Sequence, residues 1–147
     1  GNIVEFIEDY IDNLSTYIKS NGLEVIFDTE EEDLEINFDR EMMRRILINL
    51  ISNSIKYTKG NGVITINILN EEEYIIIEFK DNGIGMSKEF LKKAFNKYAM
   101  ERSEEGDTKG FGIGLYVVFN LVKAQNGEIK VSSILGKESK FEIKFYK

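Results

Sequence analysis

Histidine and cysteine are both absent from the 147 residues. Without thiols there are no disulfides and no thiolate chemistry, and without imidazole the usual zinc sites and the commonest general base go too. Any metal must therefore be held by oxygen. No apolar run approaches the roughly 18 residues of a membrane span, which predicts a soluble domain without membrane contact. The start, Gly1-Asn2-Ile3-Val4-Glu5, has no basic stretch leading into an apolar core and no methionine, and so reads as an excised piece without a secretory leader. Basic excess is missing as well. The net charge of −7 argues against a nucleic-acid partner, because phosphate backbones are gripped by concentrated Lys and Arg.

What is present is an ordinary globular balance, 42% hydrophobic and 31% charged, in a length that fits one domain spanning residues 1–147. Ile3, Phe6, Ile7, Tyr10, Ile11, Leu14 and Ile18 recur at helical spacing, which predicts one amphipathic helix ended by Asn21-Gly22. Val25 to Phe27 and Leu34 to Phe38 read as short strands around the acidic turn Glu30-Glu31-Glu32-Asp33. Asp39 is placed to cap a helix running to Tyr57, with Met43, Ile46, Leu47, Leu50, Ile51 and Ile55 on its buried face. Val63 to Leu69 and Tyr74 to Lys80 predict a hairpin that delivers Asp81. A helix follows over Ser87 to Tyr98, then a polar stretch, a helix opened by the glycines of 110–114 and closed by Asn126-Gly127, and strands near Ile129 to Ile134 and Ser139 to Phe145. Helices and an antiparallel-rich sheet, each with one apolar face, predict an α+β chain. Its form is a two-layer α/β sandwich whose mixed, mostly antiparallel sheet packs on about three helices.

Three segments carry chemistry. Asn49, Asn53 and Lys56 stand at i, i+4 and i+7 and share one face of their helix, bordered by Tyr57. An amide oxygen such as that of Asn53 suits an octahedral Mg²⁺ shell completed by phosphate oxygens and water, and Lys56 suits a phosphate as a point charge. Asp81-Asn82-Gly83-Ile84-Gly85-Met86 joins a carboxylate to a glycine loop with free amides. A carboxylate accepts from an exocyclic amino group, which selects adenine over guanine. Gly110-Phe111-Gly112-Ile113-Gly114-Leu115 lets backbone approach closely and ends at a helix N-terminus, where amides and dipole favour phosphate. Lys56, Lys59, Lys92, Lys93, Lys97, Arg102 and Lys109 cluster in sequence around these loops, Lys92 and Lys93 reading as solvated surface.

In order and spacing these residues resemble the sensor histidine kinases over essentially the whole chain. Asn49 to Thr58 resembles the asparagine box, Asp81 to Met86 the first glycine box, Phe95-Asn96-Lys97-Tyr98 the F box and Gly110 to Leu115 the second glycine box. The resemblance implies the catalytic, ATP-binding domain of such a kinase, with the Bergerat fold shared with gyrase, Hsp90 and MutL. It implies Asn53 as Mg²⁺ ligand, Asn49 and Lys56 as phosphate-side contacts, Tyr57 as a wall beside the nucleoside and Asp81 as the adenine reader. Gly83, Ile84, Gly85, Met86, Tyr98, Arg102 and the stretch from Lys109 to Leu115 would complete the ATP pocket, under a lid of about residues 99–112. Phe111 and Met100 depart from the family pattern, which leaves the lid contacts open, and Glu138 departs from the last glycine box without touching the nucleotide residues.

Related ATPases of this fold place a water-activating Glu where this chain has Asn49, so the expectation is slow hydrolysis and an ATP that waits for a protein nucleophile. The phosphoacceptor would be a histidine on a separate dimerisation domain, absent here, with a response regulator reached indirectly. The domain would be cytoplasmic within a membrane-anchored parent. Two other readings stand beside this one: an anti-sigma-factor-type serine kinase, and a degenerate nucleotide-binding module that transfers nothing.

Overall fold

A computed structural model of the chain describes residues 1–29, 31–58, 61–92 and 109–147. The first apolar stripe is built as two helices, α1 (Ile3–Asn13) and α2 (Ser15–Ser20), where one was expected. Asn2 caps α1 by accepting from the amides of Val4 and Glu5. At Leu14 (φ −94°, ψ 0°) the amide turns to both Ile11 and Tyr10 carbonyls. Asn13, Ser15 and Thr16, whose side chains compete with the backbone for its hydrogen bonds, make this the weak point of the helix. Burial continues across the break, since Ile11 and Ile18 both reach the core.

Strand β1 (Leu23–Phe27) follows, but Leu34 to Phe38 does not form the second strand that its alternation predicts. Glu35 makes a single antiparallel bridge with Asn2, supported by Ile3 N–H to the Leu34 carbonyl and Ile36 N–H to the Gly1 carbonyl, each 3.0 Å. Alternation here buries Leu34 and Ile36 in the core, and the paired segment turns into α1 at Ile3, so the pairing extends no further in that direction.

Helix α3 (Arg40–Tyr57) begins as its sequence predicts: the Asp39 carboxylate accepts from the Met42 amide at 2.9 Å. The hairpin β2 (Gly62–Asn70) and β3 (Tyr74–Asp81) is followed by the short α4 (Lys88–Leu91), capped by Ser87, then α5 (Lys109–Ala124), β4 (Glu128–Ile134) and β5 (Glu138–Tyr146). The sheet order is β1-β2-β3-β5-β4; β1 lies parallel to β2 and every other pairing is antiparallel. One face, carrying Ile64, Ile66, Ile77, Phe79, Phe141 and Ile143, meets Met43, Ile46, Leu47, Leu50, Val118 and Val122 of α3 and α5 in a single core. This is the two-layer, mixed, mostly antiparallel α+β sandwich that the patterning predicted. Among the described residues no helix is long and apolar enough to cross a membrane.

One element departs from expectation at the point that matters for the site. The glycines of 110–114 lie inside α5, which starts at Lys109, where a loop preceding the helix was expected. Leu115, Val118, Leu121 and Val122 anchor the helix in the core, and once anchored it propagates backward cheaply. Each glycine costs about 1 kcal/mol relative to alanine in such a position, so this is the least favourable turn of α5.

Candidate functional site

Asp81 is the last residue of β3, flanked by Ile64 of β2 and Ser139 of β5. A carboxylate at the end of a central strand is expensive to bury unless hydrogen-bonded, and this one is 7% exposed. Its Oδ1 accepts from the Gly83 amide at 2.9 Å and its Oδ2 from the Ser54 hydroxyl at 2.7 Å. Burial holds the carboxyl above its ordinary range. The bonds from Ser54 and Gly83 pull it back, and the charge of Glu138 pushes it further up.

The loop after Asp81 is fastened on three sides. Asn82 exchanges two bonds with Val63, and the Ile84 amide donates to the Tyr57 carbonyl at 3.1 Å. The Ile84 carbonyl takes the Gly136 amide. Met86 N–H donates to Ser133 Oγ at 2.7 Å, and that hydroxyl donates to the Glu138 carbonyl at 2.6 Å. Gly85 has φ +72°, and a Cβ there would collide with the Ile134 carbonyl, so only glycine fits. At Gly83 a Cβ would stand 2.9 Å from Asp81 Oδ1, Thr58 Oγ1 and the Tyr57 carbonyl alike. The Thr58 hydroxyl in that group is buried and has no hydrogen-bond partner among the described residues.

These elements enclose a narrow cleft. Asn53 and Tyr57 of α3 form one wall, Asp81, Ile84, Gly85 and Met86 the floor and mouth, and Ser139 and Phe141 of β5 the far side. Its free space of about 10 Å³ is close to that of one water. Six residues expected at a nucleotide site, Asn53, Tyr57, Asp81, Ile84, Gly85 and Met86, thus converge from α3 and the loop.

Asn49 lies a turn earlier on α3. Its Nδ2 donates to the Arg45 carbonyl at 2.6 Å, and its Oδ1 faces Gly114 of α5, 3.6 Å from where a Cβ would be. Lys56 is exposed, its ammonium 5.7 Å from the Tyr57 ring centroid. Leu115, expected at the pocket, is packed in the core at 1% exposure. Lys109, Gly110, Phe111, Gly112 and Ile113 contribute the opening turns of α5. Tyr98, Arg102 and most of the expected lid lie outside the described residues.

Sequence reasoning assigned no role to Ser54, Thr58, Ser133 or Ser139. Ser54 was detectable in principle: it continues the stripe of Leu47, Leu50 and Ile51, and a hydroxyl on a buried stripe demands a partner. Ser133 and Ser139 are brought to the loop by strand register, which leaves no local mark.

A buried carboxylate followed by a clamped glycine loop, facing a helix with Asn at i and i+4, is a combination that can be sought elsewhere. The family model of histidine kinase-, DNA gyrase B- and HSP90-like ATPases matches residues 38–147, from just before α3 to the last residue. The chain belongs to that ATPase family. Among curated relatives, histidine kinase P4 of Formosa agariphila is 33% identical over 135 residues, 89% of this chain and 10% of that protein. Sensor histidine kinase WalK of Bacillus subtilis is 33% identical over 138 residues, 92% of this chain and 22% of that protein. The chain thus spans about a tenth to a quarter of the length of these relatives. The fold matches the catalytic domain of histidine kinase ThkA with a TM-score of 0.84 at 23% identity, covering 99% of this chain and 95% of that one. It also matches full-length ShkA in complex with AMPPNP, at 0.83 and 21% identity, over 99% of this chain and 30% of that one.

Proposed function

We propose that this chain is the ATP-binding catalytic domain of a sensor histidine kinase, which passes the γ-phosphate of Mg-ATP to a histidine on a separate dimerisation domain. The carrying observation is Asp81: a buried carboxylate, each oxygen engaged once among the described residues and each with a lone pair left, lining a cleft together with Asn53 and Tyr57. Such a group accepts from the exocyclic amino group of adenine, whereas guanine presents a carbonyl there and is repelled. The unpartnered Thr58 hydroxyl beside Gly83 supports a polar ligand or bridging water at this end. A purine seats only as the cleft widens at its mouth, where Ile84 is exposed and Met86 is held through its amide.

At the other end the donor set is amide oxygen and ammonium. Asn53 would hold Mg²⁺ through its amide oxygen, an arrangement suited to an ion that keeps much of its water. When bound, it neutralises phosphate charge. Asn49 and Lys56 would orient the phosphate chain. Asn49 cannot act as a base, because an amide takes no proton from water and its nitrogen is already bonded to Arg45. Hydrolysis is therefore slow, and the γ-phosphoryl is kept for an imidazole nitrogen whose bond to phosphorus forms as the bond to the ADP oxygen breaks. None of the 147 residues is histidine, so the acceptor is supplied by the dimerisation domain and the response regulator is served through it. The parent protein is membrane-anchored, with this domain in the cytoplasm.

Calorimetry with Mg-ATP, followed by phosphorylation of a histidine-bearing helical dimer supplied in trans, tests this. Asn53→Ala is expected to lose the Mg²⁺-dependent part of ATP affinity and at least a hundredfold of transfer, the usual scale for removing one such electrostatic contact. A well-folded chain that gave no binding heat, or that turned ATP over rapidly in the absence of an acceptor, would contradict the proposal.

A further inference from the structure

We infer that Ser54 is a positioning residue for purine recognition: its buried hydroxyl sets the plane of the Asp81 carboxylate and ties it to the turn of α3 that carries Asn53. This deepens the reading above and rests on it.

Ser54 is 2% exposed on a face otherwise made of Leu47, Leu50 and Ile51. A hydroxyl in that setting costs stability unless it is bonded, and its single proton goes to Asp81 Oδ2 at 2.7 Å, the length of a bond to a charged acceptor. The torsion that turns a carboxylate about its own axis is soft. Here two donors from two different elements, Ser54 of α3 and the Gly83 amide of the loop, each hold one oxygen, and the remaining lone pairs are thereby aimed. Asn53 precedes Ser54 and lines the same cleft as Asp81. The purine-reading carboxylate and the metal-side amide are thus one residue and one hydrogen bond apart, so a displacement of either is felt by the other.

The charge environment makes this bond matter. From β5, Glu138 faces Asp81 with like charge, and Ser139 lies beside it in register. Lys80, the preceding residue of β3, is engaged with Glu138 at 3.7 Å. Thr58 adds a neutral hydroxyl from the end of α3. The ionised carboxylate therefore leans on neutral donors, of which Ser54 is one of two in direct contact among the described residues.

The test is Mg-ATP and Mg-GTP titration calorimetry of the 147-residue chain between pH 5 and 8. Ser54→Ala is expected to weaken ATP binding about tenfold at neutral pH, the lower end of what a hydrogen bond to a charged group supplies. Loss of binding on acidification should begin at higher pH than in the wild type, and the preference for ATP over GTP should narrow. In an Asp81→Asn background the same change should have no further effect on binding. Ser54→Cys, which keeps the volume with a weaker donor, is expected to fall between wild type and Ser54→Ala, and it carries the test should Ser54→Ala fail to fold. Wild-type affinity, pH profile and ATP preference in a folded Ser54 variant would overturn the inference, as would additivity with Asp81→Asn. Wild-type protein that binds no ATP would instead overturn the function proposed above.

Discussion

The two ends of the cleft are built by different means. At the Asp81 end, proposed above for the purine, a carboxylate, a hydroxyl, a backbone amide and two glycines are locked together by strand register and buried hydrogen bonds. At the Asn49 end, proposed above for the phosphates, Asn49 and Asn53 are half-buried, Lys56 is exposed, and the facing helix opens on a turn weakened by three glycines. The contrast teaches how one site divides its work. On the function proposed above, a rigid planar base would reward preorganisation, whereas a phosphate chain to be handed to another protein would be better held by groups that can shift.

The largest test of that contrast is Gly85→Ala. A methyl at φ +72° that also meets the Ile134 carbonyl should cost about 2–4 kcal/mol of stability by combined backbone strain and overpacking, and should abolish nucleotide-induced stabilisation. Gly136→Ala is its control: φ is +82° but nothing lies within 4 Å of the added carbon, so only the strain of about 1–2 kcal/mol remains. Thermal unfolding of both variants checks whether the close approach, rather than the φ angle, is what the loop requires.

A smaller effect follows from the raised carboxyl of Asp81, whose ordinary value is 3.8. The folded chain binds this proton at higher pH than the unfolded chain does. Between the raised folded value and 3.8, acidification therefore favours the folded state through Asp81. Purine recognition needs the ionised form and runs the other way, fading as pH falls through the folded value. The difference between wild type and Asp81→Asn isolates both trends. Unfolding scans without nucleotide should show the wild type gaining on the variant as pH falls through that window, while its nucleotide-induced shift disappears. Parallel trends in the two measurements would remove Asp81 from the role assigned to it.

The smallest expected effect is at the phosphate end. Gly114→Ala places its carbon at an ordinary 3.6 Å from Asn49 Oδ1, so in the helical state it should stabilise the chain by about 0.5–1 kcal/mol through helix propensity alone. If the nucleotide-bound state needs this turn in another conformation, the same variant binds Mg-ATP more weakly while melting higher. Unchanged affinity would mean that the glycines of α5 serve the helical form only.

Much of this was legible along the chain because the relevant signals are local. The Asp39 cap, the stripe of α3, the β2–β3 hairpin and the positions of the glycine loop all depend on residues within a few places of one another. The failures share a cause. Leu34 to Phe38 has the alternation of a strand but pairs with the first residues of the chain through a single bridge only, and the break at Leu14 depends on a balance of small propensities that a burial pattern spanning both halves conceals. The second glycine segment was read as a loop because glycine disfavours helix, whereas the core contacts of Leu115 and Val118 carry the helix back across it.

By itself, then, the order of residues determined most of the elements and the whole chemical inventory: a carboxylate followed by glycines, paired amides on a helix, no imidazole and no thiol. Only tertiary structure decided that Ser54 of α3 would meet Asp81 from 27 positions away, that β1 would lie parallel to β2, and that Ser133 and Ser139 would come to the loop. Local periodicity specifies which face of an element is buried, but the partner that fills that face is chosen by packing and strand register summed over the whole core.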